Sequence, residues 1–317
     1  MPQAWKSAIH PAKPITANRP ETVVKPLKTS SGLPIGFRRA RSSWQQDFQA
    51  LLDFAIEAGF AFLDYGPIGA DTAHRSQQQG LPVGTVDLRD WSSLLSPDVG
   101  LRSSAVLANA SHIRSLVGIG VSKFLTVLTP PDPAMPRREA FAHAVASYRS
   151  LGKAAEECGA KVLIEGAPGR PPYFANLACT PADLRAFLSA VESPAIGVNY
   201  DPSHLVRMGI DPPRFLTEFA PHVHHVHAKD TVFIDVERYD HGVLQQATFA
   251  EPHLYGGFGW RYALPGRGAI KWDEVLSGLK EIGYSGGISI ELEDEEYLGT
   301  LESEQRGLLE AARLLSR

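Results

Sequence analysis

The sequence predicts a single-domain (β/α)8 barrel, a TIM barrel of the α/β class. From residue 33 to residue 317, eight short apolar runs alternate with helical patterns, and no shift in composition marks a second domain. An open doubly wound sheet would show a similar alternation. That alternative is disfavoured because no GxGxxG motif follows the first apolar run.

Eight apolar runs of strand length follow one another along the chain and are bounded by turn residues. The predicted strands cover residues 33–37, 60–66, 81–88, 122–129, 160–166, 195–201, 223–230 and 286–292. The predicted helices cover residues 44–59, 104–117, 138–158, 180–193, 211–220 and 270–283, followed by a closing helix with apolar positions from 308 to 315.

Apolar stripes and terminal residues justify these helices. Over 44–59 the apolar residues recur at helical spacing as far as Gly59. Thr180 is an N-cap candidate, Pro181 occupies the first turn and Asp183 stands where a capping acid belongs. The helix over 270–283 presents one apolar face, formed by Trp272, Val275, Leu276, Leu279 and Ile282.

Composition excludes several classes of protein. The chain has 317 residues, 44% of them hydrophobic and 21% charged, which is typical of a globular protein with a sizeable core. Its 31 basic and 35 acidic residues give a net charge of −4, so neither a nucleic acid nor a membrane surface is expected as a partner. No apolar run reaches membrane-spanning length, and the two cysteines suggest no disulfide framework, so a cytoplasmic location is expected.

Two segments stand apart from the barrel pattern. Residues 1–32 form an extended arm rich in proline and lysine. Residues 231–265 form a loop far longer than usual, with seven aromatic residues: Phe233, Tyr239, Phe249, Tyr255, Phe258, Trp260 and Tyr262. Either segment could contact a partner subunit, and a homo-oligomer built through one of them is an open alternative to a mobile arm and a lid.

Four consecutive strands end in polar residues that face the barrel interior. Side chains alternate along a strand, and functional groups of such barrels lie at the carboxyl ends of the strands. The alternation brings Glu165, Asp201, His227 and Glu291 to one ring. Three clustered carboxylates repel one another unless a cation neutralises them, so we expect one divalent metal ion here.

The donor set restricts the metal without selecting one ion. Three carboxylates and one imidazole, with no thiolate, suit Mn²⁺, Mg²⁺, Co²⁺ or Zn²⁺, with Mn²⁺ as our first expectation. A single inward glutamate could instead be a salt-bridged structural acid, but four such groups on consecutive strands favour the metal site. His225, deeper on the same face as His227, is expected to be a packed histidine beside the site.

Five segments of the chain resemble the xylose isomerase-like superfamily of sugar isomerases and epimerases. They are KVLIEG (161–166), GVNYDPSHL (197–205), HHVHAKD (224–230), PGRGAIKW (265–272) and GGISIELED (286–294). The resemblance covers most of residues 120–317. It implies a metal-dependent barrel in which Glu165, Asp201, His227 and Glu291 are the ligands, and in which Glu165 and Glu291 also exchange a proton with the substrate carbon.

Three further residues are candidates for substrate binding. His204 resembles the family histidine that binds substrate hydroxyls beside the metal. Lys229, two residues after His227, could orient that ligand or bind a substrate oxygen. Arg267 lies in a glycine-flanked GRG segment and could hold a phosphate or a carboxylate, although loop arginines are more often simply solvated.

The expected function is a metal-dependent isomerase or epimerase of a sugar or keto-sugar, acting through carboxylate proton abstraction and an enediolate. The chain departs from the sugar epimerases because TVFIDVERYD replaces the stretch that carries their arginine, and no second glutamate follows Glu165. The leading alternative is a lyase that cleaves an oxidised (3-keto) glycoside, such as a C-glycoside deglycosidase. A metal phosphodiesterase similar to endonuclease IV and a non-catalytic sugar-binding protein are weaker alternatives.

Overall fold

A computed structural model describes residues 25–243 and 248–317 of the chain. Its ten strands are β1 (Ile35–Arg38), β2 (Leu63–Tyr65), β3 (Val83–Asp87), β4 (Lys123–Thr126), β5 (Lys161–Glu165), β6 (Ile196–Tyr200), β7 (Val223–Ala228), β8 (Asp230–Phe233), β9 (Trp260–Ala263) and β10 (Ile288–Ile290). Strands β1 to β7 and β10 form a closed parallel barrel, and β8 pairs with β9 in a separate antiparallel hairpin. The predicted fold class is therefore confirmed.

Helices surround the barrel and cover its apolar outer surface. They are α1 (Ser43–Gln46), α2 (Phe48–Ala58), α3 (Ala70–Gln78), α4 (Val99–Val117), α5 (Arg137–Glu157), α6 (Pro181–Val191), α7 (Pro202–Arg207), α8 (Pro212–Glu218), α9 (Asp235–His241), α10 (Trp272–Glu281) and α11 (Leu301–Leu315). The core between strands and helices is made of buried aliphatic and aromatic side chains. None of the helices in the described ranges has the combination of length and apolar composition that crossing a bilayer requires.

All eight predicted barrel strands are present, and most predicted helices are present with shifted ends. The predicted helix over 44–59 is broken at Asp47, whose side chain accepts hydrogen bonds from the backbone of Gln49 and Ala50 and so starts α2. Helices α3, α7 and α9 were not predicted. Helix α3 has few apolar residues, α7 begins directly after a strand, where the sequence shows no separate helical stripe, and α9 lies within the predicted loop over 231–265.

One phenylalanine fills the lower end of the barrel. A Cβ placed on Gly36 or on Gly84 would lie 2.5 Å from the Phe62 ring, and a Cβ on Gly287 would meet the same ring. Glycine is needed at these strand positions because the ring of Phe62 occupies the space that their side chains would take. Phe62 therefore packs the barrel below the polar layers, and its ring touches that of His225 edge-on at 6.0 Å.

The predicted loop over 231–265 is more ordered than the sequence indicated. Its ends pair as the β8–β9 hairpin, with Thr231 opposite Tyr262, and α9 lies between them. The sequence pattern did not indicate these two strands, because they are far apart in sequence and no tight turn joins them. We refer to residues 231–265 below as the 231–265 loop.

Asp230 fastens both ends of this loop. Its buried carboxylate accepts hydrogen bonds from the backbone N–H groups of Gly266 at 2.9 Å and Ile270 at 3.0 Å. It also accepts the indole N–H of Trp272 at 3.2 Å. One carboxylate thus satisfies donors from the hairpin, the following turn and α10.

His253 forms a second attachment of the 231–265 loop. Its ring nitrogens lie 2.7 Å from Glu295 after β10 and 3.0 Å from Glu237 in α9. Burial acts to lower the pKa of His253, but the hydrogen bonds to Glu295 and Glu237 outweigh it and raise this pKa above 6.5.

Most of the predicted arm over residues 1–32 lies outside the described residues, which begin at residue 25. Within the described part, the backbone N–H of Leu27 bonds to Gly59 O at 2.8 Å, and the N–H of Ser30 bonds to Leu315 O at 2.9 Å. Residues 25–32 therefore attach to the barrel rather than extending from it. The role of the arm in a subunit contact stays a prediction.

We expect the Asp230→Asn variant to lower the free energy of unfolding by about 2–4 kcal/mol, because several buried donors lose a charged acceptor. Urea denaturation measures this change. Asp235→Asn is the matched control, since the Asp235 side chain is 96% exposed. Equal stability of Asp230→Asn and the wild type would contradict this account of the loop.

We expect His253→Gln to destabilise the protein more at about pH 5.5 than at about pH 9. A histidine whose pKa is raised in the folded state contributes stability below its unfolded pKa, and this contribution disappears as the pH rises through the folded pKa. Urea denaturation at both pH values measures the difference. His74→Gln, at an exposed site beside Gln78, serves as the control. A loss that does not depend on pH would show that His253 acts only by packing.

Candidate metal centre and active site

The four residues predicted as metal ligands lie together at the upper end of the barrel. Glu165 is the last residue of β5, Asp201 directly follows β6, His227 lies near the end of β7, and Glu291 directly follows β10. One potential ligand atom from each lies within 4.8 Å of the others. The structure therefore brings these side chains together, and their role as ligands stays a prediction.

Hydrogen bonds fix the orientation of two of these carboxylates. Glu165 Oε1 lies 2.8 Å from His227 Nδ1 and accepts a hydrogen bond from the side-chain amide of Asn199 at 3.0 Å. Asp201 Oδ1 accepts the backbone N–H of Ser203 at 2.9 Å and so caps α7. The other oxygen of Asp201 is buried and has no hydrogen-bond partner among the described residues. This oxygen lies 3.3 Å from Lys229 Nζ and 3.4 Å from His204 Nε2.

A buried carboxylate below the cluster orients the histidine. Asp64 Oδ2 lies 2.7 Å from His225 Nε2 and 3.5 Å from His227 Nε2. A carboxylate near Nε2 of an imidazole favours a proton on that nitrogen. In His227 this leaves Nδ1 directed at the other predicted metal ligands. Burial acts to lower the pKa of His227, but Glu165, Asp64 and Glu291 together hold it well above its usual range.

Lys229 occupies the centre of the charge distribution. Its ammonium is hydrogen-bonded to Glu291, lies 2.8 Å from Glu293 and 3.3 Å from Asp201, and the residue is only 1% exposed. Burial alone would lower the pKa of Lys229, but the three carboxylates raise it well above its usual range. Lys229 is therefore a buried, permanently charged cation within the site.

The neighbouring cations affect the pKa values of Glu291 and Asp201 differently. Burial tends to raise the pKa of Glu291, but Lys229, His227 and Arg38 lower it to about 2. Burial raises the pKa of Asp201 to about 6, assisted by Glu165 and Glu291 and opposed by Lys229. Glu291 is consequently ionised throughout the physiological range, whereas the charge of Asp201 depends on the cation that it faces.

Arg38 and Asp87 are part of the site, although the analysis of the sequence missed the arginine. Arg38 forms a two-pronged pair with Asp87, at 2.9 Å and 2.6 Å, and its Nε lies 3.3 Å from Glu291. Arg38 and Glu291 keep 16% and 14% of their side-chain surface exposed. This edge of the cluster is therefore accessible to a small molecule.

His204 is held by a residue of the 231–265 loop. Its Nδ1 lies 2.6 Å from the Tyr262 hydroxyl, and its Nε2 lies 3.4 Å from Asp201 Oδ2. Burial raises the pKa of Tyr262 and lowers that of His204, so the phenol keeps its proton and can donate it to a neutral ring. The remaining N–H of His204 then points towards the cluster, where it can donate to a substrate oxygen.

Arg267 is placed differently from the other predicted site residues. Its guanidinium lies over the Tyr297 ring at 5.2 Å and is 3.4 Å from Glu310 on α11. None of its described contacts reaches Glu165 or Glu291. Binding of a substrate anion by Arg267 stays a prediction that the geometry does not support.

The site residues missed in the sequence come mainly from the first strands and from the 231–265 loop. Arg38 ends β1, where the apolar run was read only as far as residue 37. Tyr262 was named only as one of seven aromatic residues, because its contact with His204 depends on the β8–β9 pairing. Asp64 lies in β2 and Asp87 ends β3, and no local pattern in the sequence indicates their partners across the barrel.

The donor set and its surroundings fit a divalent cation. Glu165, Asp201, His227 and Glu291 offer potential ligand atoms that lie within 4.8 Å of one another. The carboxylates of Glu165, Asp201, Glu291, Glu293 and Asp87 outnumber the cationic groups among them, which are Lys229, His227 and Arg38. A buried excess of negative charge at this point favours binding of a cation.

Comparisons with known proteins agree with this architecture. A family model described as a xylose isomerase-like TIM barrel matches residues 53–317. The uncharacterized protein YfiH of Bacillus subtilis (strain 168) is 34% identical over 157 residues, which make up 48% of this chain and 46% of that protein. An inosose dehydratase of Bacillus thuringiensis (strain Al Hakam) is 25% identical over 201 residues, or 63% of this chain and 60% of that protein.

The chain thus spans about half the length of YfiH and about three fifths of that dehydratase. Among solved structures, the 3-keto-D-glucoside 4-epimerase YcjR from E. coli superposes with a TM-score of 0.64 at 14% identity. The superposition covers 88% of this chain and 98% of that chain. At this level of identity the likeness is one of fold.

We expect the purified protein to bind about one Mn²⁺ per chain, and expect His227→Ala and Glu291→Gln to weaken binding at least about 100-fold. Each substitution removes one of four donors. Equilibrium dialysis with metal analysis measures the stoichiometry and affinity, and circular dichroism verifies folding. Glu274→Gln is the control, because Glu274 is exposed on α10 and pairs with Lys271. Unchanged Mn²⁺ binding in both variants would place the metal elsewhere.

Proposed function

The chain belongs to the family of xylose isomerase-like TIM barrels, and on that premise we propose that it is a divalent-metal-dependent isomerase or epimerase of a sugar or keto-sugar. The single observation that carries the proposal is the convergence of three carboxylates and one imidazole at the open end of the barrel. A divalent ion bound there would polarise a substrate carbonyl and make the adjacent C–H more acidic.

The residues around the cluster can perform the other parts of such a reaction. Lys229, buried and permanently charged, stabilises negative charge that develops on a substrate oxygen. His204, fixed by Tyr262, donates its remaining N–H to a hydroxyl of the sugar. Both groups are held in place before substrate arrives, which favours the charged transition state over the free substrate.

Glu165 and Glu291 are the proposed proton-transfer groups. They enter the cluster from β5 and β10, which lie on different sides of the barrel ring, with β6 and β7 between them. A proton removed by one carboxylate and returned by the other to the opposite face of the same carbon gives epimerisation. Return to the neighbouring carbon gives isomerisation. Glu291 is ionised at neutral pH, which the role of proton acceptor requires.

A lyase that uses the same proton abstraction is the second candidate. The observation that favours it is the similarity to a protein named as an inosose dehydratase. If a leaving group stands next to the carbon that loses its proton, the same residues would expel that group rather than return the proton. A cytoplasmic location, an oligomeric state, a particular native metal and a particular substrate also remain proposals.

Hydrogen–deuterium exchange in D₂O tests the proposal. With Mn²⁺ and a panel of D-fructose, D-tagatose and 3-keto-D-glucose, we expect one deuterium in the recovered sugar, located by NMR. Glu165→Gln and Glu291→Gln should each slow this exchange by about 10²–10⁴-fold, which is the usual contribution of an acid–base group. Glu274→Gln should exchange like the wild type.

The products distinguish the two candidate functions. Deuterium in an intact sugar skeleton supports the isomerase or epimerase, and loss of a substituent from a keto-glycoside supports the lyase. If the metal-loaded protein neither exchanges deuterium into the three sugars nor releases the substituent of a 3-keto-glucoside, both candidate functions are refuted.

A further inference from the structure

We propose that the substrate carries an aromatic group with an anionic substituent, bound in a cavity beside the metal centre, with Arg207 as the residue that recognises the anion. This inference rests on the proposed function, because it assigns a place to the part of the substrate that does not react. It names the substrate class as an aryl glycoside, or its keto derivative, rather than a free sugar.

A cavity of about 470 Å³ lies between the 231–265 loop and two segments of the barrel rim. The barrel contributes residues 168–174 and 206–209, and the loop contributes residues from both hairpin strands and from α9. Its walls include Phe174, Phe233, Phe258 and Trp260. This volume is within the range of about 300–1,000 Å³ that is usual for sites of small organic ligands.

The chemistry of the walls does not suit a free sugar. A sugar ring exposes hydroxyl groups on its whole edge, and each buried hydroxyl needs a hydrogen-bond partner. Most of the lining side chains are aromatic or aliphatic and offer few such partners. A flat apolar ring, in contrast, gains from burial against aromatic walls.

Arg207 gives this mostly apolar cavity a guanidinium that can recognise an anion. Its guanidinium stacks on the Trp260 ring at 4.5 Å and donates one hydrogen bond, to the backbone oxygen of Gly169 at 3.1 Å. No carboxylate among the described residues pairs with it, so most of its five N–H donors are free. Arg238, the other cation of the lining, has Asp235 at 3.6 Å. A partly buried guanidinium with free donors is suited to a carboxylate or a phenolate.

Tyr262 joins the cavity to the metal centre. Trp260 and Arg207 line the cavity, and the Tyr262 ring lies 5.2 Å from the first and 5.6 Å from the second. On its other side, the same ring has Lys229 Nζ at 4.4 Å, and its hydroxyl reaches His204. One side chain, Tyr262, therefore lies between the reacting centre and the cavity, and the proposed substrate would reach the cavity past its ring.

Calorimetric titration of the Mn²⁺-loaded full chain with three glucosides tests this inference. Methyl, phenyl and 4-carboxyphenyl β-D-glucoside differ only in the group that the cavity would hold. We expect the phenyl compound to bind at least about ten-fold more tightly than the methyl compound, because the ring is buried. The carboxylate should add about five-fold more.

Substitutions in the cavity separate the two contributions. Arg207→Met should remove the preference for the carboxyphenyl over the phenyl compound, and Arg207→Lys should retain part of it because the charge remains. Phe258→Ala should reduce the preference for phenyl over methyl. Arg185→Met is the control, since Arg185 is exposed and pairs with Glu218 outside the cavity.

Equal affinity for the three glucosides, or no measurable binding of the carboxyphenyl compound, would overturn the inference. A carboxylate preference that persists in Arg207→Met would overturn the role of Arg207. These outcomes are independent of the proposed reaction, because the glucosides have no keto group and binding is measured without turnover. Deuterium exchange into small keto-sugars would still stand if aryl binding failed.

Discussion

Compensation of buried negative charge is the constraint on which the upper half of this barrel depends. Glu165, Asp201 and Glu291 enter a space that is largely closed to water, where unpaired carboxylates are costly. Strand β7 supplies the imidazole of His227, and Lys229, the residue that follows β7, supplies the ammonium, and both reduce this cost. Because the two residues are two positions apart in extended backbone, their side chains point to the same side of the chain. The ring of charges is therefore a product of strand geometry.

The same constraint extends to the 231–265 loop. Lys229 is buried partly because the ring of Tyr262 covers it, and Tyr262 is positioned by the hairpin that starts at Asp230. Asp230 then ties the end of this loop to α10. His227 of the charged cluster, the buried Lys229 and the loop-attaching Asp230 thus lie within residues 227–230 of the chain. The charged cluster and the shape of its entrance are therefore linked through one short segment.

Features that depend on local periodicity could be predicted from the sequence, and features that depend on pairing across the barrel could not. The alternation of inward and outward residues placed Glu165, Asp201, His227 and Glu291 at one end, and the structure brings them together. The pair of Arg38 with Asp87 joins residues 49 positions apart, and that of Asp64 with His225 joins residues 161 positions apart, so no local pattern indicates either. The β8–β9 hairpin was missed for the same reason, and Tyr262 with it.

The aromatic ring at the base of the barrel has a consequence for proton exchange between the site and bulk water. Phe62 fills the space left by Gly36, Gly84 and Gly287, so its ring closes the barrel below the polar layers. A proton taken up by a carboxylate above this ring can exchange with water only from the upper side of the barrel. A bound substrate would slow that exchange, so the ratio of internal proton return to exchange with bulk water would depend on how long the substrate stays bound.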